Sequence, residues 1–130
     1  MRKFSKQSQD KLDQCHPDLK RLFERVIQIV DCTVVTGFRN EKDQNEAFRT
    51  GKSKLKWPQS KHNKRPSLAV DVIPWPVDWK DYNRFYFFMG VVKGVAAEMG
   101  IKVRCGGDWD GDNDFKDQTF IDLPHFEIEG

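Results

Sequence analysis

The chain has 130 residues, a length that suits one domain with a single core. Its 22 Lys and Arg residues barely exceed its 20 Asp and Glu residues, so the net charge of +2 gives no support to a nucleic-acid-binding protein. The N-terminus is basic but has no apolar stretch after it, which predicts that no secretory signal is present and that synthesis is cytoplasmic.

The first half of the chain is predicted to contain two helices and a strand. His16 and Pro17 mark the start of a helix, because apolar residues then recur at helical spacing and proline suits the first turn. The segment CTVVTGF, residues 32–38, is predicted as a strand that ends at a glycine turn. Arg39 therefore lies just beyond a strand end, before a short helix from Asn40 to Arg49.

The second half is predicted to alternate between strands and one long helix. LAVDVIP, residues 68–74, is a core strand with Asp71 in its middle. Residues 81–100 form a buried helix, since charged residues interrupt the run of about 20 apolar residues that a membrane span needs. IKVRC and PHFEIE are further strands. This arrangement predicts an α+β fold in one domain, residues 1–130.

Two histidines and an aspartate, His62, Asp71 and His125, form a candidate metal set. Zinc binds imidazole nitrogens and carboxylates, and a catalytic zinc site has three protein ligands and one open position for water. Asp122, three residues before His125, is the candidate general base for that water. A structural hydrogen-bond network is the alternative, but a carboxylate in an apolar run is costly to bury unless it is paired or binds a metal.

The segment GGDWDGDNDFKDQTF, residues 106–120, is a second candidate metal site. Its carboxylates stand at alternating positions, and calcium favours dense oxygen ligation. The spacing does not fit an EF-hand, and a solvated acidic loop accounts for the pattern equally well. The candidate calcium ligands are Asp108, Asp110, Asp112, Asp114 and Asp117.

Three motifs, SKH at 60–62, AVD at 69–71 and DLPH at 122–125, resemble those of the zinc D-alanyl-D-alanine carboxypeptidase superfamily. Within this superfamily the chain looks like a bacteriophage endolysin of the L-alanyl-D-glutamate peptidase type. The similarity runs along nearly the whole chain. It implies a Hedgehog/D-Ala-D-Ala peptidase-like fold, in which helices pack against a small antiparallel sheet, and a single zinc peptidase domain without a separate cell-wall-binding domain.

The resemblance also implies roles for individual residues. The two histidines and Asp71 become the zinc ligands, and Asp122 becomes the catalytic acid–base residue. Arg39 takes the place of an arginine that steadies the substrate carbonyl, while Gln44 and Ser60 support the site or bind substrate. The sequence departs from the family pattern S-x-H-x-x-G-x-A-x-D, because it lacks the glycine and has two extra residues between ligands. We expect this insertion to change the rim of the cleft.

The function implied is zinc-dependent cleavage of the peptidoglycan stem peptide, at the L-alanyl-D-glutamate bond, for host cell lysis. A D-alanyl-D-alanine carboxypeptidase would use the same ligands, and a non-catalytic cell-wall-binding module also stays open. We expect a monomer that a holin helps to leave the host cytoplasm and that acts in the periplasm. The basic segment GKSKLKWPQSKHNKR, residues 51–65, is suited to an anionic wall polymer or a lipid phosphate, or is simply solvated.

Overall fold

The computed structural model describes residues 2–113 and 122–129. The described helices are α1 (Lys6–Leu12), α2 (Pro17–Val26), α3 (Glu41–Arg49) and α4 (Tyr82–Met99), with a 3-10 turn over Lys61–Asn63. The strands are β1 (Cys32–Thr36), β2 (Ala69–Pro74), β3 (Val103–Cys105) and β4 (His125–Ile128). The strands form one sheet in the order β1-β2-β4-β3, and all its pairings are antiparallel. The α+β fold with a small antiparallel sheet is therefore confirmed.

Local sequence signals account for the helix ends. His16 begins α2 as predicted, since its Nδ1 accepts a hydrogen bond from the Asp18 amide at 3.1 Å. Asn40 caps α3 in the same way through the Asp43 amide. Gly100 ends α4 in the left-handed conformation, with φ of 73°, which glycine adopts without steric cost.

The sheet separates the apolar core from the cluster of metal-ligating side chains. Val70 and Val72 of β2 and Phe126 of β4 belong to the core. Because side chains of a strand point alternately to the two faces, Asp71 and His125 lie on the opposite face. These two residues are direct partners across the β2–β4 ladder, so the register of the sheet brings two candidate ligands together.

Helix α4 covers the core face of the sheet together with α2. Its buried Phe88 contacts Phe126 edge to face, with ring centroids 6.0 Å apart, whereas Phe87 is 64% exposed. Among the residues that the structure describes, no helix is both long and apolar enough to cross a membrane. The long apolar segment 81–100 is thus a core helix.

Removing the Phe126 ring should test how strongly the core supports strand β4. Phe126 is fully buried and contacts the rings of Phe23 and Phe88, so Phe126→Ala should lower the free energy of unfolding by about 3–5 kcal/mol. Phe87→Ala, on the exposed side of α4, should change it by less than about 0.5 kcal/mol. Urea denaturation of both variants measures the difference, and equal effects would contradict this description of the core.

Candidate metal centre

Three buried side chains direct one ligand atom each toward a common point. Asp71 Oδ1 lies 3.3 Å from His62 Nε2 and 3.3 Å from His125 Nδ1. All three side chains are buried, and the three ligand atoms lie within 4.8 Å of one another. The structure therefore contains a candidate metal-binding triad of the residues that the motifs indicate.

The spacing and the chemistry of these atoms fit a divalent cation. His62 Nε2 and Asp71 Oδ1 are buried and have no hydrogen-bond partner among the described residues, which is costly unless something else neutralises them. Tetrahedral zinc, with bonds of about 2.0–2.1 Å to nitrogen and oxygen, separates neighbouring ligand atoms by about 3.3 Å. The two measured separations match this value, so the donor set suits zinc.

Hydrogen bonds on the far side of each ring direct the lone pairs of both histidines inward. His62 Nδ1 lies 2.8 Å from the carbonyl oxygen of Gly37, which can only accept, so Nδ1 carries the proton and Nε2 keeps its lone pair. His125 Nε2 lies 2.8 Å from Glu127 Oε1, and in the neutral ring this contact leaves the Nδ1 lone pair on the side of Asp71. The orientation of both rings is thus set before any metal binds.

A glycine is required where the backbone supports His62. A Cβ atom on Gly37 would lie 2.2 Å from the carbonyl oxygen of Lys11 in α1, so only glycine fits this close approach. Ser67 Oγ also donates to the Gly37 carbonyl, at 3.3 Å. The turn after β1 therefore positions the carbonyl that holds His62.

The two extra residues between His62 and Asp71 do not have the expected effect on the cleft. Among the described residues that line the cleft, none lies between 63 and 70. Arg65 instead places its guanidinium over the Phe38 ring, 4.0 Å from the centroid, and Ser67 is fully buried. The segment with the two extra residues therefore packs against Phe38, just after the end of β1, and does not line the cleft.

Glu127 is a buried carboxylate beside the candidate triad that the motifs did not indicate. Besides its contact with His125, its Oε2 accepts a hydrogen bond from Arg104 at 2.8 Å and lies 3.4 Å from Lys61 Nζ. Burial alone would raise the pKa of Glu127, but the hydrogen bond with His125 and the charges of His125 and Arg104 lower it to about 2. Glu127 is thus an ionised carboxylate that orients His125, a candidate metal ligand. Period-two alternation in HFEI, which puts Glu127 on the face of His125, is the sequence signal for it.

Contacts within the triad shift the pKa values of Asp71 and His125. Burial would raise the pKa of Asp71, but the neighbouring imidazole rings of His62 and His125 hold it well below its usual range. Burial would lower the pKa of His125, but its contacts with the carboxylates of Asp71 and Glu127 raise it to about 9. In the metal-free protein, Asp71 is therefore charged and stabilises a proton on His125.

Asp122 stands beside the triad without belonging to it. Its Oδ2 lies 3.9 Å from His125 Nδ1, and its side chain is 29% exposed. Burial, followed by the negative charge of Asp71, raises the pKa of Asp122. Its backbone is fixed by Gly106, whose carbonyl accepts from the Asp122 amide at 2.9 Å and where a Cβ atom would lie 1.9 Å from the Asp122 carbonyl oxygen. This carboxyl group suits the binding and transfer of a proton.

Arg39 contacts the oxygen of Asp71 that faces away from the histidines. Its Nη2 lies 3.5 Å from Asp71 Oδ2, and its Nη1 donates to Gln44 Oε1 at 3.1 Å. Gln44 is fully buried, and Asn63 Nδ2 donates to the same oxygen at 3.1 Å. Gln44 thus holds the Arg39 side chain in place and does not itself line the cleft.

The sequence left open whether Ser60 supports the site or binds substrate. Its Oγ accepts a hydrogen bond from the His62 amide at 3.2 Å, which caps the 3-10 turn, and the residue also lines the cleft. Its hydrogen bond is thus with the backbone of His62, a candidate metal ligand. Ser60 therefore helps to hold the turn on which His62 lies.

The acidic segment brings three of its five predicted carboxylates together. Ligand oxygens of Asp108, Asp110 and Asp112 lie within 4.8 Å of one another, whereas Asp114 and Asp117 lie outside the described residues. Lys93 of α4 donates to Asp108 Oδ2 at 2.6 Å. The ammonium group already supplies positive charge to this cluster, so a calcium ion would have to compete with it.

The triad lies in an open cleft of about 1330 Å³, a volume that accommodates a peptide segment. Cationic and aromatic side chains make up much of its lining. The cationic ones are Arg39, Lys52, Lys54, Lys61 and Arg104, and the aromatic ones include Trp79, Tyr82, Phe85, Tyr86 and Trp109.

Weakening the contact between Glu127 and His125 should weaken metal binding. Glu127→Gln keeps the shape of the side chain but removes the charge that fixes the His125 ring, so we expect zinc affinity to fall about 10- to 100-fold. Glu129→Gln, an exposed position two residues further on, is the matched control and should leave the affinity unchanged. Competition with a chromogenic chelator measures both, and equal zinc affinity in the two variants would contradict the role of Glu127.

The chain is similar to known proteins over most of its length. The family model for phage L-alanyl-D-glutamate peptidase matches residues 1–129. The L-alanyl-D-glutamate peptidase of Escherichia phage T5 is 31% identical over 121 residues, which is 89% of this chain and 88% of that protein. The crystal structure of Serratia marcescens L-Ala D-Glu endopeptidase ChiX matches with a TM-score of 0.77 and 30% identity, over 97% of this chain and 89% of that one. The chain therefore belongs to the phage L-alanyl-D-glutamate peptidase family.

Proposed function

We propose that this protein is a zinc-dependent peptidoglycan hydrolase, an endolysin that cleaves the L-alanyl-D-glutamate bond of the stem peptide. The observation that carries the proposal is the convergence of three buried ligand atoms, two of them without a hydrogen-bond partner among the described residues, beside the acid Asp122 in an open cleft. The names of the relatives, which match nearly the whole chain, support a peptidase that acts on this bond.

The proposed chemistry assigns one task to each group. Held by the two histidines and Asp71, zinc would act as a Lewis acid that polarises the peptide carbonyl and acidifies a water molecule. Asp122 accepts the proton of the attacking water and transfers it to the leaving amine. The raised pKa of Asp122 suits this exchange. It brings the free energies of the protonated and ionised forms closer together near neutral pH.

Arg39 contributes positive charge on the other side of Asp71. Supported by Gln44, its guanidinium lines the cleft and can stabilise the oxyanion that forms on the carbonyl. Loss of one such donor typically costs about 100- to 1,000-fold in rate. Because Arg39 also contacts Asp71, it has the second task of holding that ligand in place.

The products released from purified peptidoglycan test which bond is cleaved. The zinc-loaded protein should release new peptides that begin with D-glutamate, as identified by mass spectrometry. Release of free D-alanine would instead indicate a D-alanyl-D-alanine carboxypeptidase. The absence of any product would favour a non-catalytic wall-binding module.

Two variants separate catalysis from metal binding. Asp122→Ala should keep zinc but lose about 100- to 10,000-fold in turnover, since the residue transfers protons and does not bind the metal. His125→Ala should lose zinc and turnover together, because it removes a ligand. Bound zinc measured by elemental analysis and peptide release measured by mass spectrometry report the two properties. Retained turnover in either variant contradicts the assignment.

We extend the proposal to calcium at the acidic segment, with Asp108, Asp110 and Asp112 as ligands. Calcium should raise the melting temperature of the zinc-loaded protein, because an ion that binds only the folded state stabilises it. Asp112→Asn is the variant in which the shift should shrink. If calcium changes neither melting temperature nor turnover of the wild type, this site does not exist.

The biological setting proposed is host lysis. The protein would be made in the host cytoplasm, pass the inner membrane with the help of a holin and act as a monomer on the wall in the periplasm. The peptidoglycan substrate follows from the proposed reaction. Nucleic acid is not a proposed partner, since the net charge is only +2.

A further inference from the structure

The cleft around the metal centre carries more positive than negative charge. Among the described residues, five cationic and three acidic side chains line it, without counting a metal ion. Three of these cations contact the carboxylates of the metal centre: Arg39 contacts Asp71, and Lys61 and Arg104 contact Glu127. The other two, Lys52 and Lys54, are exposed and lie on the segment that follows α3. A cleft of this charge is complementary to an anionic ligand.

The segment that carries the two lysines is fixed relative to the triad. Gln44 Nε2 donates to the carbonyl of Leu55 at 2.6 Å and to Ser53 Oγ at 3.0 Å. Gln44 in turn accepts from Arg39, which contacts Asp71. A continuous series of contacts therefore connects the backbone around Lys54 with a metal ligand. The lysines belong to the framework of the site and not to an unattached loop.

Aromatic side chains also line the cleft. The 3-10 turn that carries His62 leads into one end of β2, and the segment that carries Trp79 leaves the other end. Trp79 stacks on Phe85, with ring centroids 5.7 Å apart and an interplanar angle of 24°, and Tyr82 is 62% exposed. The electron-rich faces of aromatic rings repel carboxylates, so an anionic group is favoured beside the lysines rather than over these rings.

The proposed substrate carries such a group on one side of its scissile bond. The bond joins the alanine carbonyl to the glutamate nitrogen. Glutamate has two carboxyl groups, of which at most one continues the peptide, so the leaving fragment retains a free carboxylate close to the cleaved bond. Building on the proposed function, we propose that Lys52 and Lys54 form a subsite for this carboxylate. The leaving fragment then lies along the lysine segment.

A pair of synthetic stem peptides tests the subsite. They differ only in the glutamate carboxyl group that does not continue the chain, which is free in one and amidated in the other. The zinc-loaded wild type should cleave the free acid with about fivefold higher kcat/KM, a size expected for exposed ion pairs, and the preference should shrink with added salt. K52Q/K54Q should lose most of the preference. K56Q, on the same segment but absent from the lining of the cleft, should retain it.

The outcomes separate this inference from the proposed function. Cleavage of both peptides by the wild type without a preference, or with a preference that K52Q/K54Q retains, would overturn the lysine subsite and leave the proposed function intact. Cleavage of neither peptide by the wild type would overturn the proposed function and the subsite together.

Discussion

Two hydrogen bonds on the outer edges of the histidine rings determine what this site can bind. The Gly37 carbonyl fixes the proton of His62 on Nδ1, and Glu127 occupies His125 Nε2, so that both remaining nitrogens face Asp71. The two supports come from opposite sides of the triad, the turn after β1 and the strand β4 itself. A metal ion therefore meets ligands whose orientation has already been set, which reduces the ordering cost of binding.

The same arrangement accounts for the burial of two carboxylates. Asp71 and Glu127 would be costly to bury without partners, yet each lies between a histidine and at least one cation. Arg39 neutralises the outer oxygen of Asp71, and Arg104 does the same for Glu127. Arg39, Lys61 and Arg104, which line the cleft, thus also stabilise the buried carboxylates of the candidate metal centre.

Much of the fold and part of the site could be predicted from the sequence. Apolar runs indicated β2 and α4, and helical periodicity indicated α2. Helix α1, with seven residues of which two are buried, is too short to show such a pattern. The motifs indicated His62, Asp71 and His125, since a carboxylate within an apolar strand needs a partner or a metal, and imidazole and carboxylate are the ligands that zinc prefers.

The contacts that complete the site depend on tertiary structure and could not be predicted in the same way. The support of His62 by Gly37 arises from residues 25 positions apart, and the need for glycine there follows from the approach of α1. The burial of Gln44 beneath Arg39 depends on how the segment after α3 folds back onto that helix. The displacement of the inserted residues from the cleft likewise depends on their packing against Phe38.

The most direct measurement of the central claim is anomalous X-ray diffraction from crystals grown with zinc, recorded on both sides of the zinc absorption edge. The structure predicts a strong peak between His62 Nε2, Asp71 Oδ1 and His125 Nδ1, with the hydrogen bonds from His62 to Gly37 and from His125 to Glu127 intact. Absence of a peak from this position, or coordination through His125 Nε2 with Glu127 displaced, would contradict the account.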